Sequence, residues 1–326
     1  MSSNSEGEAF KVALRPRVNI NSTIEELKSQ QSSLTSIQLN FYKRFFEEAE
    51  EEKLEKLFEA VGSLKALKTL IFTSKGSNVQ VVPANLLAKC LNKASQNLET
   101  LHLDNIRVNA FDANMDCLSD ALADLEELKV LKLHCEDMDV LEQPIAAAGQ
   151  IPTLEICEIE SATIAQKIAE PSESLCWSKS LHSLKLINVA QSFGDLFDVI
   201  SLLAVNQVLQ ELTLQVSELD VKGGQELVKM LAYNSSLQRV VLQAERMANA
   251  TVGEAFIPSL AQNESLQYFQ IILDGRQSDM KVVRAMGVKF RDTLKGTYKV
   301  TPRAGMAMGV ICEREAVEVE APAEEE

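Results

Sequence analysis

From Leu34 onward the chain repeats one apolar cadence. Segments aligned on a leading leucine read LTSIQL from Leu34, LKTLIF from Leu67, LETLHL from Leu98, LKVLKL from Leu128, LEICEI from Leu154, LHSLKL from Leu181, LQELTL from Leu209, LQRVVL from Leu237 and LQYFQI from Leu266. Apolar residues hold the first, fourth and sixth places in all nine copies, whose leading leucines stand 26 to 33 residues apart. A fixed period of this size signals stacked supersecondary units. The fourth and sixth places alternate as a strand requires, and the residues after them turn to helical spacing. After Leu209, for instance, Leu227, Met230 and Leu231 in DVKGGQELVKMLAYN fall on one helical face.

One such unit cannot stand alone. Three buried leucine-type side chains contribute roughly 5–9 kcal/mol, whereas ordering the backbone costs about 1–2 kcal/mol for every residue. Stacking neighbours is therefore obligatory, and the copies are expected to form one solenoid. Asn206, Asn234 and Asn263 each precede the next leading leucine by three residues. Asparagine tolerates the left-handed conformation that ends many helices, and that is the role expected of them.

This pattern resembles the ribonuclease-inhibitor class of leucine-rich-repeat proteins over residues 31–275. The resemblance implies an α/β fold: a curved solenoid of about nine repeats, with parallel strands on the concave face and helices on the convex face. One family feature is missing. Eight residues after the leading leucine, where the family places Asn or Cys, the chain has Ile106, Glu136, Ala162, Val189, Ser217 and Glu245. The apolar place two residues further on is kept as Val108, Met138, Ile164, Leu219 and Met247.

The ends break the period. Residues 1–30 read as a polar tail or irregular cap. Between the first two repeats, Phe46, Leu54, Leu57, Phe58 and Val61 have partly helical spacing, with Glu47, Glu48, Glu50, Glu51 and Glu52 on the solvent side. Residues 276–311 read as a capping helix and a basic segment: Ser278 is placed to cap it, and Val283, Met286, Phe290 and Leu294 form its apolar stripe. Lys281, Arg284, Arg291 and Lys295 make it locally basic, a solvated face or else a docking patch for an acidic partner or for the chain's own tail. Residues 312–326 read as a disordered acidic tail.

Composition narrows the function classes. The 326 residues are 46% hydrophobic and 24% charged, ample for a folded core, and the formal charge of −15 argues against a general nucleic-acid binder and favours basic partners. The six cysteines are scattered singly with no CxxC pair, as thiols are in a reducing compartment, so neither disulfide nor zinc ribbon is expected. The opening residues lack the apolar stretch of a secretory signal, and no window reaches the length of a membrane span. A monomeric protein of the cytoplasm, or alternatively the nucleus, is the expectation.

Strand alternation also assigns the outward columns of the sheet. One runs Gln38, Ile71, His102, Lys132, Glu158, Lys185, Thr213, Val241, Gln270, and the next Asn40, Thr73, Asp104, His134, Glu160, Ile187, Gln215, Gln243, Ile272. All three histidines, His102, His134 and His182, fall on outward places, two of them beside carboxylates. His102, Asp104, Lys132, His134, Glu158, Glu160 and Lys185 are the candidate partner-binding residues. Carboxylates beside a histidine raise its pKa, and with it they supply metal-ligand chemistry. The reading adopted is a polar binding surface with no metal and no cofactor.

No phosphate-cradling GxxxxGKS loop, GxSxG elbow, HExxH pair or recognisable cysteine-nucleophile motif occurs, so no catalytic residue is assigned. Gly223 and Gly224 at a helix start serve the loop rather than a ligand. The leading expectation is a non-enzymatic scaffold that holds a protein partner on its concave face. Two alternatives follow from similarity to acidic leucine-rich-repeat proteins: a regulator of a small GTPase, of the activating type, and a chaperone-like binder of basic proteins.

Overall fold

A computed structural model describes residues 9–75, 79–94, 96–109, 115–136, 139–164, 168–274, 280–303 and 308–315, and of residues 139, 250 and 280–282 the backbone alone. Thirteen strands are present among them: β1 (Phe10–Leu14), β2 (Ser36–Tyr42), β3 (Thr69–Lys75), β4 (Gln80–Pro83), β5 (Thr100–Asn109), β6 (Val130–Cys135), β7 (Ile156–Ser161), β8 (Ser183–Ile187), β9 (Glu211–Leu219), β10 (Arg239–Met247), β11 (Tyr268–Leu273), β12 (Tyr298–Arg303) and β13 (Met308–Arg314). The helices are α1 (Ile20–Ser29), α2 (Phe45–Glu48), α3 (Glu51–Gly62), α4 (Ala84–Ala94), α5 (Asp116–Ala123), α6 (Glu142–Ala148), α7 (Ala169–Cys176), α8 (Phe197–Val205), α9 (Val221–Tyr233), α10 (Ala250–Glu254), α11 (Phe256–Gln262) and α12 (Met280–Leu294).

All nine repeat segments are strands, and they lie side by side in sequence order. The sheet runs β1-β2-β3-β5-β6-β7-β8-β9-β10-β11-β13-β12, parallel as far as β11, with β4 paired to the extension of β5. The fold is a curved leucine-rich-repeat solenoid. Its core is the inward side of each repeat: Leu131, Leu133, Leu184, Leu186, Leu212 and Leu214 are buried, as are Leu227, Met230 and Leu231 on α9. Among the described residues no helix is long and apolar enough to cross a membrane.

The asparagines behave differently from the expectation. Asn206, Asn234 and Asn263 have extended backbones with ψ of 133°, 128° and 121°, not left-handed ones. Their side chains do the work instead. Asn234 Nδ2 donates to Leu203 O (2.7 Å) and Asn206 O (2.8 Å), and Oδ1 accepts from the backbone N–H groups of Ser236 (2.9 Å) and Leu237 (2.7 Å). Asn263 reaches Leu231 O (2.7 Å) and Asn234 O (3.0 Å) in the same way. An asparagine ladder thus exists at the helix-to-strand corner. The asparagines that are left-handed are Asn105 (φ 54°) and Asn188 (φ 56°), each seven residues after a leading leucine.

Both ends are more regular than the broken period implied. Residues 10–14, expected as tail or irregular cap, form β1 in parallel register with β2, Val12 opposite Leu39, and α1 follows it. Val12 and Leu14 are buried, so the segment closes the core with a strand of its own. At the other end Val283, Met286, Phe290 and Leu294 are buried as expected, while Ser278 lies outside the described residues. Beyond α12 an antiparallel hairpin adds to the sheet. β13 pairs with β11, and Cys312, expected to begin a disordered tail, is buried opposite Phe269. Arg314 Nε donates to Leu266 O (2.8 Å), so the ordered sheet extends past the expected boundary. The outermost strand β12 carries Pro302 and Lys299, which protect an edge from further pairing.

Candidate functional site

The two outward columns are in the register that the alternation assigns. His102 stands opposite Lys132, Lys132 opposite Glu158 and Glu158 opposite Lys185; in the next column Asp104 stands opposite His134 and His134 opposite Glu160. Parallel strands put neighbours in a column about 4.8 Å apart, within reach of long side chains. All seven candidate residues therefore meet on β5–β8.

Glu158 is the centre of the group. Its Oε1 accepts from Lys132 Nζ at 3.1 Å, its Oε2 lies 3.3 Å from His134 Nε2, and Lys185 Nζ stands 3.9 Å from Oε2 and 3.7 Å from Glu160 Oε2. The sequence placed Glu160 beside His134, and it is the register partner, but the hydrogen bond goes diagonally to Glu158. The hydrogen bond from His134, then the Lys132 hydrogen bond and the nearby lysine charges, outweigh burial and hold the Glu158 carboxyl down at about 2.

At His102, burial, and after it the proximity of His134, lowers the pKa against the opposing pull of Asp104. Its ring meets that of His134 edge-on, with centroids 4.9 Å apart. Asp104 is directed by a local irregularity: the register shifts between Asp104 and Ile106 at the left-handed Asn105, a bulge of the kind that re-aims a side chain. One ring nitrogen from each histidine and a carboxylate oxygen of Asp104 lie within 4.8 Å of one another.

Other assignments fall elsewhere. His182 is exposed just before β8 and outside the trio. Arg284 and Arg291 are exposed on α12 and Lys295 just after it, at the far end of the solenoid, and the side chain of Lys281 lies outside the described residues. Ile164, expected to keep the apolar path of the repeat, is 37% exposed. Gly223 packs: a Cβ there would lie 2.3 Å from Phe193 Cβ.

Two features were missed. Lys68, Glu99 and Lys129 form a second charge ladder, with contacts of 2.6 and 3.1 Å, at the second place of successive repeats. Sign alternation at that place was the available signal. Trp177, Val205 and Tyr233, at the C-terminal ends of α7, α8 and α9, are 67%, 64% and 75% exposed. Each stands four residues before a leading leucine, where other repeats carry Gln150 and Gln262.

Cys90, Cys135, Cys157, Cys176 and Cys312 are buried free thiols, and burial pushes each up to about 12. A thiol so shifted is not a nucleophile at neutral pH.

No protein-family model matches the chain, and no curated protein matches it significantly. Solved structures similar to it include the actin-binding site 2 of leiomodin-1 (14% identity, TM-score 0.36, 48% of this chain and 90% of that one). A TLR13–ssRNA13 complex is similar at 14% identity and a TM-score of 0.41, over 83% of this chain and 37% of that one. The tropomodulin C-terminal domain of Caenorhabditis elegans matches at 10% identity and a TM-score of 0.22, over 76% and 93% of the two chains.

Proposed function

We propose that the protein is a non-enzymatic, ribonuclease-inhibitor-like scaffold that holds a protein partner on the open face of β5–β8. The observation that supports this reading is the Glu158 hub, which ties Lys132, His134 and Lys185 together across three neighbouring strands. Side chains already fixed by one another lose little freedom when a partner arrives, so their charges act at low ordering cost. Alternating signs across the strands favour a partner with the complementary alternation and repel one of uniform charge. The net charge of −15 adds a longer-range preference for basic surfaces.

The test is a crosslinking pull-down from native lysate with wild type and a variant carrying Lys132→Glu, Glu158→Lys and Lys185→Glu. Every sign in the column is inverted, so pairing within the column survives and circular dichroism should be unchanged. Selective loss of one partner is the expected result. Recovery of the same proteins by both forms would overturn the reading.

A further inference from the structure

We infer that His102, His134 and Asp104 form a binding site for one first-row divalent cation, of the zinc type, on the open face of β5 and β6. The three groups offer two imidazole nitrogens and a carboxylate oxygen, mutually within 4.8 Å. Two histidines and an acid are the donor set zinc takes in sites that keep a fourth position open. Tetrahedral zinc separates its ligand atoms by about 3.4 Å, so the trio closes on an ion by side-chain rotation alone. The site shares His134 with the Glu158 hub but needs no partner to form.

Three further observations favour it. His102 Nε2 is buried and has no hydrogen-bond partner among the described residues. A cation in reach gives such a nitrogen the partner it lacks. Glu158 Oε2 takes the hydrogen bond of His134 Nε2 at 3.3 Å, which puts the proton on that nitrogen and frees Nδ1. A carboxylate behind a ligating histidine is the usual outer-shell arrangement of metal sites. Lys132, opposite His102 in the register, is neutralised by Glu158 at 3.1 Å and so does not repel the ion.

Chelator-treated full-length protein is titrated with Zn2+ by calorimetry and with Co2+ by visible absorption, with no partner present. One equivalent should bind, with the intense d–d bands of four-coordinate cobalt. Asp104→Asn, which keeps shape, and His134→Gln should each weaken affinity at least tenfold, and Glu158→Gln should weaken it by roughly 10–100-fold through His134. His182→Gln should leave it unchanged. The absence of a stoichiometric signal would overturn the proposal, as would affinity indifferent to both Asp104→Asn and His134→Gln. Because the partner is absent throughout, failure here leaves the scaffold reading untouched.

Discussion

Asn234 Nδ2 donates to the backbone carbonyl of Asn206, 28 residues earlier, at 2.8 Å. One buried amide thereby joins two consecutive repeats and, through its Oδ1, turns the chain into the next strand. Replacing it by alanine strands several backbone groups at once. With buried unsatisfied groups costing about 1–3 kcal/mol each, Asn234→Ala should destabilise by roughly 3 kcal/mol. Gln207→Ala, at an exposed neighbour, should stay within about 0.5 kcal/mol. Urea denaturation of both variants checks the pair.

Glycine substitutions should part in sign. A Cβ at Gly223 would lie 2.5 Å from the backbone carbon of Phe193 and 2.6 Å from Gly194 N, with backbone on the other side of the contact. Gly223→Ala should therefore destabilise by about 2 kcal/mol despite the better helix propensity of alanine. At Gly287 the nearest atom is Val310 Cγ2 at 3.6 Å. Gly287→Ala should stabilise by about 0.5–1 kcal/mol. Denaturation midpoints of both variants decide it.

Stability should fall with acid in a way that Glu158 controls. Its folded pKa of about 2 lies below the ordinary 4.5, so its contribution is complete above pH 4.5 and is lost as pH falls from there towards 2. The contribution is on the order of 2 kcal/mol. His102, also depressed, adds a loss beginning at higher pH, below the ordinary histidine value of 6.5. The stability difference between wild type and Glu158→Gln should be constant from pH 5 to 7 and shrink below pH 4.5. Urea midpoints across that range measure it.

Truncation tests what the final strand contributes. Removing residues 316–326, which keeps all of β13, serves as the reference. Removing residues 312–326 deletes buried Cys312 and the Arg314 bonds to Leu266 O and Asn263 O, at a cost of about 3 kcal/mol. Differential scanning calorimetry of the two truncations should separate them clearly.

Nine strands and both outward columns were legible because a leucine period of fixed phase sets register as well as element type. The segment FKVAL was not, since Phe10, Val12 and Leu14 alternate without a leading leucine to mark them. The final hairpin reverses strand direction and carries Pro302, so neither period nor propensity announced it. Within the site, place along a strand could be read but not side-chain reach: His134 has Glu160 opposite it and bonds to Glu158 on the diagonal. The side-chain task of Asn206, Asn234 and Asn263 was not legible, because a left-handed backbone and a side-chain ladder leave the same residue in the sequence.

The most direct measurement is photo-crosslinking from single sites. A photoreactive residue replacing Ile156, on the outward side of β7, is compared in lysate with the same residue replacing Asp120, exposed on α5. A protein partner held by the open face should give a discrete adduct from position 156 and none from position 120. An adduct from position 120 with none from position 156 would contradict the assignment of the binding surface.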